Sequence, residues 1–533
     1  MKKQSNNKRF HNSFRILIII LLIIGVFFRF VNLDRKVYWD DETTTSLRIS
    51  GYTTADLSAQ VFNGRVISIE DLQKYQRPNP EKGFSDAIKS LAIEDPHHPP
   101  LYYIMARFWV QWFGSSVAVT RSLSALIGLL VFPCIYWLCL ELFESPLVGW
   151  VAILLIAVSP FHVLYAQEAR EYSLWTGTIL LSSAALLRAI RVSKQNNGKE
   201  AKLSWAIYAV ALVLALYSGL FSAFVLIGHG IHVVANERFR LNKTVIGFLV
   251  ASVFGLIGFV PWLIVIIKSS SNLREGTEWL SQRLDFLSLV LKWNHHIVRI
   301  FIDFNLDNLD LYLAIPILIL VGYSIYFLCR NTPSQVWLFV LTSIAVPALA
   351  LILPDLILGG RRSAVERYLI PCYLGIHLAV AFLLATKITS FCAKIQRQKL
   401  WQLVAIILIS AGVLSCAVSS QADVWWNKGA GSIYLKTVPL VNQATHPLLI
   451  SNIYDDLLPG RHLALSYLLH PKVKLLFVTK ENIPKVQITD GFSDIFVFDP
   501  FPKLKEHIEQ IQKRKLEPLY KGRTKIWLWR VAK

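Results

Sequence analysis

Apolar runs long enough to cross a bilayer recur along most of the chain, separated by short polar interruptions. A helix spanning the hydrocarbon core needs ~20 consecutive apolar residues. Runs at 14–30, 118–142, 147–166, 171–190, 204–219, 220–236, 244–267, 310–329, 336–353, 367–387 and 401–419 therefore predict about eleven transmembrane helices. After Gln421 the pattern shortens to β-like runs, Leu448-Leu449-Ile450, Lys474 to Val478, Asp494 to Phe498 and Lys525 to Val531. Two helical stretches, Leu463 to Leu469 and Leu504 to Lys513, fall among them. The expected fold is a polytopic α-helical membrane protein with a small C-terminal α/β domain. The string Ser451-Asn452-Ile453-Tyr454-Asp455-Asp456 follows the first of these strands, where it is either an ordinary strand-end loop or the lining of a ligand cleft.

Charge sets the orientation of these helices. Lys2, Lys3, Lys8, Arg9 and Arg15 precede or begin the first run, and Asn32-Leu33-Asp34-Arg35 follows it in place of a small-residue cleavage site. This is the pattern of a retained anchor with its N-terminus in the cytoplasm. Three basic clusters mark further cytoplasmic turns: Arg188, Arg191, Lys194, Lys199 and Lys202; Arg238, Arg240 and Lys243; and Lys387, Lys394, Arg397 and Lys399. Counting back from the first cluster makes 32–117 one external loop, so Leu101 to Phe113 cannot cross the membrane. We expect an interfacial helix there, with Tyr102, Tyr103, Trp109 and Trp112 at headgroup depth. An odd number of spans puts the C-terminus outside. The expected organisation is a cytoplasmic N-terminus (1–13), a transmembrane module (14–419) and an extracytoplasmic α/β domain (420–533) in a multi-pass protein of the plasma membrane.

Composition agrees with this class, since 54% hydrophobic and only 17% charged residues exclude a soluble enzyme of 533 residues. The formal charge of +20 sits in short loops and the tail, with no nucleic-acid-binding motif. It reads as membrane orientation and attraction to anionic lipid, not as a nucleic-acid partner. Cys134, Cys139, Cys329, Cys372, Cys392 and Cys416 include no CxxC pair and fall in or beside apolar runs, as core residues do.

The candidate chemistry lies outside the spans. Tyr38-Trp39-Asp40-Asp41-Glu42 follows the first helix, and Asp95-Pro96-His97-His98-Pro99-Pro100-Leu101-Tyr102-Tyr103 comes some fifty residues later. With Glu168, Arg170, Arg361, Arg362, Glu366 and Arg367 they place charges of both signs near one membrane face, where charge is costly and marks function. A carboxylate can take a proton from a hydroxyl nucleophile, and guanidinium groups can hold a phosphate as it leaves. Glycosyl transfer from a lipid-phosphate sugar needs both. Plainer roles exist for each residue. Asp41 and Glu42 could cap a helix, Glu168 and Arg170 could pair at a helix end, and Arg361 and Arg362 could be interfacial anchors. Arg367, followed by Tyr368, is the stronger phosphate candidate. His97 and His98 could shape the turn or bind a divalent metal with Glu42 or Glu94; no cofactor is demanded, and His98 and Glu42 are the metal candidates. The loop from Lys268 to Asn308 is long enough to form a lid or an acceptor surface. A flippase for lipid-linked sugars would instead predict charges at mid-membrane and paired repeats of hydrophobic segments.

The ordered set formed by the Asp41-Glu42 pair, His98-Pro99-Pro100-Leu101-Tyr102-Tyr103, Gly114 and Arg121, the run Ser159 to Tyr172, and Arg367-Tyr368-Leu369-Ile370-Pro371 resembles the integral-membrane GT-C glycosyltransferases. Within them it is similar to the family 39 group of protein mannosyltransferases, lipid A aminoarabinose transferases and bacterial relatives. The resemblance covers roughly residues 10 to 390 and leaves out the tail. It implies a polyprenyl-phosphate-linked sugar donor, an extracytoplasmic acceptor (lipid, glycan or protein) and an active site on the extracytoplasmic face. It also implies that Asp41 occupies the catalytic acidic position, with Asp40 as the alternative and Glu42 beside it. His97, His98, Tyr102, Glu168, Arg170, Arg361, Arg362, Arg367 and Tyr368 are the substrate-binding candidates.

Overall fold

The computed structural model describes residues 2–195, 198–306, 309–389, 395–428, 431–453, 459–488, 490–522 and 525–532. Cys392, Lys394 and the Tyr454-Asp455-Asp456 end of the strand-end string lie outside the described residues. The chain divides into two compact units. The first comprises Met1–Leu33, His97–Tyr102 and Arg121–Gln421; the second comprises Asp34–Pro96, Tyr103–Thr120 and Ala422–Lys533.

The first unit is helical and polytopic. Among the described residues eight helices are long and apolar enough to cross a membrane: Val117–Phe143, Tyr172–Lys194, Gly198–Ser218, Lys243–Lys268, Tyr312–Asn331, Ser334–Ile357, Glu366–Thr389 and Ile395–Ser420. The expected span 147–166 is a bent pair, Pro146–Ala157 and Pro160–Ala166, meeting at 65° and making a ninth if taken as one. The break follows from Ser159-Pro160: proline starts the second helix, while the Ser159 hydroxyl accepts from His162 N at 3.4 Å and donates to Ile300 O at 2.6 Å. The expected span 14–30 falls in the helix Lys2–Phe30, whose apolar part is Ile16–Phe30, and the expected span 220–236 is the shorter apolar helix Ser222–Asn236.

Burial sorts these helices into inner and outer ones. Tyr172–Lys194 and Glu366–Thr389 are 83% and 89% buried over their apolar windows, against 28% for Lys243–Lys268 and Ser334–Ile357. The outer helices turn Leu, Ile, Val and Phe outward, as a lipid-facing surface requires. The inner helix Tyr172–Lys194 instead carries Thr176, Gly177, Thr178, Ser182 and Ser183, small residues that let neighbours approach. Thr176 and Thr178 return their hydroxyls to the carbonyls of Tyr172 and Leu174 at 2.8 and 3.0 Å, so both of these hydroxyls are satisfied within the helix.

The second unit is built on a six-stranded mixed sheet: β1 (Asn63–Ile67), β2 (Pro447–Asn452), β3 (Lys474–Val478), β4 (Asp494–Phe498), β5 (Leu516–Lys521) and β6 (Ile526–Val531), in the order β1-β3-β2-β4-β6-β5. The central β3-β2-β4 set is parallel, and the flanking pairings are antiparallel. Alternation along the strands builds two apolar layers. Leu449, Leu475, Phe477, Phe496 and Phe498 face the helices Ser432–Asn442 and Gly460–Ser466 together with Leu47, Leu57, Phe62 and Leu72 from the first loop. On the other face Leu448, Ile450, Leu476 and Val497 meet Leu504 and Ile508 of Pro502–Gln512. Four strands of the tail fall where the periodicity put them; the expected helix 504–513 is Pro502–Gln512, the expected helix 463–469 begins three residues earlier as Gly460–Ser466, and the helix Ser432–Asn442 was not expected. Two strands were not expected: β1, a short Asn-Gly-Arg run inside a polar loop, and β5, which contains Pro518 and is largely exposed at the sheet edge.

The helix Leu101–Phe113 forms with the expected bounds, but Tyr102 and Tyr103 are buried in protein. The exposed aromatic residues are Phe108, Trp112 and Phe113, because side chains one turn apart share a helix face.

Phe477 is buried in β3 with its ring stacked on Phe62 at 5.3 Å and edge-on to His462 at 4.8 Å. Phe477→Ala should destabilise the sheet unit by about 3–5 kcal/mol, seen as a lowered melting temperature and faster hydrogen exchange in β1 as well as in β3.

Candidate functional site

In the first unit the site residues gather around the loop Gln167 to Glu171, between the bent pair and Tyr172–Lys194. Arg170 is buried; one of its terminal nitrogens meets His98 Nε2 at 2.8 Å, and its Nε is 3.4 Å from Glu171 Oε2. His98 Nδ1 lies 2.9 Å from the other oxygen of Glu171. Burial alone would raise the Glu171 pKa, but Arg170 and then His98 hold the carboxyl well below the usual range. The Ser124 hydroxyl donates to the Arg170 carbonyl at 3.2 Å and meets the fully buried Tyr102 hydroxyl at 2.8 Å, which seats the His-Pro-Pro turn on the next span. His97 and His98 are half-buried with ring centres 4.1 Å apart. Glu168 is fully buried, and its carbonyl accepts the Arg170 backbone N–H at 2.7 Å.

A second strand of this site comes from the segment 359–369. Arg367 and Tyr368 are half-buried there. The guanidinium carbons of Arg367 and Arg170 each lie 5.9 Å from the Tyr172 ring centre, so two cations address one aromatic ring. The neighbouring Glu366 is buried and accepts from Tyr165 OH at 3.0 Å and from Arg299 at 2.8 Å. Arg299 also pairs with Asp303 at 2.8 Å, and the attraction of Glu366 and Asp303 overcomes its desolvation to raise its pKa. Arg299 and Asp303 escaped the sequence reading because they sit in the long loop after Lys268, where only their partner Glu366 distinguishes them. Arg361 stacks near Trp279 at 5.5 Å and reaches Gln282 Oε1 at 3.3 Å. Arg362 pairs with buried Asp355 at 3.1 Å, and Ser363 fills the other Asp355 oxygen. Gly359 and Gly360 have φ of +79° and +146°, and a Cβ on Gly360 would sit 2.7 Å from Asp355 Oδ1 and 2.9 Å from Leu280 O. Only glycine allows this close turn.

The acidic residues belong to the second unit and open the helix Asp40–Ile49. Asp40 Oδ1 accepts from Tyr434 OH at 3.1 Å, and its Oδ2 is 4.0 Å from Arg461. Asp41 is half-buried, with its carbonyl accepting from Thr45 at 3.0 Å. Glu42 is fully buried, and one of its oxygens accepts the Trp39 backbone N–H at 3.3 Å, closing the first helical turn. At the far end of this helix Arg48, also buried, pairs with Asp95 at 2.5 Å and Glu94 at 2.6 Å. Glu94 further accepts from the backbone of Thr54 and Ala55 at 2.7 and 3.3 Å, which commits both its oxygens. The role of Arg48 was not legible, because an arginine in a polar loop looks solvated until its partners are known. Among the described residues no three His, Cys, Asp or Glu side chains are gathered to hold a metal ion.

A family model described as a predicted membrane protein (DUF2142) matches residues 85–313. No curated protein matches the chain in sequence. In three dimensions the chain is similar to ArnT from Cupriavidus metallidurans, both bound to undecaprenyl phosphate (TM-score 0.53, 11% identity) and in the apo state (TM-score 0.53, 12% identity). Each alignment covers 97% of this chain and 98% of that one. The Archaeoglobus fulgidus oligosaccharyltransferase tethered with an acceptor peptide is also similar, at TM-score 0.48 and 13% identity over 89% of this chain and 64% of that one. The likeness to ArnT is one of fold: the chain shares its overall architecture and is a polytopic α-helical membrane protein with a C-terminal mixed sheet.

Burial, offset in part by Arg461 and reinforced by Asp41, raises the Asp40 pKa from 3.8 to about 6. The folded chain thus keeps a proton there that the unfolded chain has released. The associated stability is complete below pH 3.8 and is lost as pH rises through about 6. Thermal unfolding of the wild type should fall more between pH 4 and 7 than that of Asp40→Asn, which cannot ionise; parallel profiles would refute the shift.

Proposed function

We propose that this protein is a membrane glycosyltransferase that moves a sugar from a polyprenyl-phosphate donor to an extracytoplasmic acceptor. The observation that carries the reading is the convergence of Arg170 and Arg367 on Tyr172. Two guanidinium groups at one ring favour an anion between them, and a lipid phosphate is the anion that a bilayer enzyme with this fold meets. The similarity in fold to ArnT, which was crystallised bound to undecaprenyl phosphate, supports that ligand class. Family 39 in particular is our assignment from the sequence motifs.

In this proposal Asp41 takes the proton of an acceptor hydroxyl. The freed oxygen attacks the anomeric carbon, the bond from that carbon to the phosphate oxygen breaks, and the polyprenyl phosphate leaves with the bonding electrons. Arg367 and Arg170 stabilise the charge that develops on the leaving group. A single displacement inverts the anomeric centre. Glu42 holds the helix start that carries Asp41, while His97, His98, Tyr102, Glu168 and Tyr368 shape the donor site. Arg361 and Arg362 hold the turn leading to Arg367. In this proposal Ile16–Phe30 and Ser222–Asn236 are also spans, making eleven crossings, and the chemistry takes place on the extracytoplasmic face of the plasma membrane; the basic clusters of the short loops support this orientation.

Native mass spectrometry of the detergent-purified protein tests the reading, with undecaprenyl phosphate and co-purifying lipid-linked sugars as probes. Asp41→Asn should keep the lipid adduct and lose turnover by 10²-fold or more, on the order of a general base's contribution. Full turnover in that variant would remove Asp41 from the mechanism. Arg367→Ala should weaken lipid occupancy by about 10- to 100-fold, the worth of a charge-assisted hydrogen bond; unchanged occupancy would remove it from the phosphate site. An adduct absent from every variant, even with added lipid, would favour a transporter or scaffold.

A further inference from the structure

In an open α/β sheet, ligands bind outside the carboxyl ends of the parallel strands, where neighbouring connections leave in opposite directions. The sheet of the second unit has such a point. β2 leads through Gly460–Ser466 to β3 on one side, whereas β4 leads through Pro502–Gln512 towards β5 on the other. The two helices also lie on opposite faces of the sheet, judged by the apolar layers they join.

Polar groups crowd this point. Asp499, just past β4, has a φ of +45° and binds Lys525 at 2.5 Å and Arg461 at 3.4 Å. Arg461 reaches in turn to Asp40 at 4.0 Å, and Tyr434 donates to Asp40 at 3.1 Å. Gly460 accepts from the Thr43 hydroxyl at 3.1 Å, and a Cβ on Gly460 would come within 2.9 Å of the Asp40 carbonyl oxygen. The place where such sheets hold a ligand therefore holds the N-terminal turn of the acidic helix.

We propose that the C-terminal sheet is a positioning domain: Arg461, Tyr434 and Gly460 seat Asp40 in the switch-point crevice and so fix the adjacent Asp41 for reaction. The importance of Asp41 rests on the transferase reading; the seating of Asp40 does not. The crevice explains why two aspartates stand side by side. One is the anchor, bound by the tail, and the other is the reacting group. Asp40 touches no substrate in this scheme, and the tail residues act through the helix backbone.

Hydrogen exchange of the full-length protein in lipid nanodiscs separates the outcomes. Arg461→Ala should speed exchange of the amides in Asp40–Ile49 by roughly fivefold, the worth of about 1 kcal/mol of ion pair, while β2 and β4 keep their protection. Arg461→Lys should restore part of it. Gly460→Ala, which removes no charge, should speed the same amides by pushing on Asp40. Unchanged exchange in the helix in both Ala variants would overturn the proposal, as would equal loss of protection across helix and strands. If wild type transfers sugar, Arg461→Ala should lower turnover at unchanged occupancy by the lipid probe named above; lowered occupancy with unaltered turnover would overturn it. Local loosening of the helix in a protein that transfers nothing even as wild type would uphold the seating and sink the transferase reading alone.

Discussion

A guanidinium group taken out of water must be met on several sides by carboxylates or carbonyls, and this chain is organised around meeting that demand. Arg29, inside the first apolar helix, donates to Gly25 O at 2.8 Å and to Ala157 O and Ile156 O at 2.9 and 3.1 Å. The last two carbonyls end the helix Pro146–Ala157, so the bend at Ser159 and the buried arginine satisfy each other. Arg299 ties the loop after Lys268 to Glu366, beside Arg367. Arg170 takes Glu171 and His98. In the second unit Arg48 closes the helix Asp40–Ile49 onto Glu94 and Asp95, two residues ahead of His97. The pairings of Arg299, Arg170 and Arg48 each set a backbone segment that carries or adjoins a proposed functional side chain. Removing one partner would leave a buried charge uncompensated, a penalty of about 3–5 kcal/mol.

Much of this architecture was readable because bilayer and sheet impose simple periods on a sequence. Long apolar runs gave the spans, and alternation in Lys474 to Val478 and Asp494 to Phe498 gave strands at the observed residues. What escaped was pairing at long range. β1 contains Asn-Gly-Arg and has no apolar alternation of its own; its partner β3 lies at the other end of the chain. Among the described residues the eleven expected spans meet eight long apolar helices, one pair bent at Ser159-Pro160, and the apolar stretches Ile16–Phe30 and Ser222–Asn236. At the site, the types of residue were legible and their partners were not. Asp40 and Asp41 look alike in a string, yet Tyr434 and Arg461 distinguish them, and both come from the tail at the other end of the chain. Tyr102 read as an interfacial aromatic until Ser124 accounted for its hydroxyl.

The first loop and the tail share one sheet, with Asn63 aligned to Val478 and Ile67 to Leu475. That arrangement has a temporal side. β1 leaves the ribosome more than 400 residues before the strand it pairs with, a wait of roughly 20 to 80 s at ~5–20 residues per second. During synthesis the helices that follow must insert while the Asn63 to Ile67 segment remains without its ladder, and β3 is an open edge until the loop docks. Completion of the sheet is therefore a late event in biogenesis. Truncation before Lys474 would leave the first loop without its folding partner.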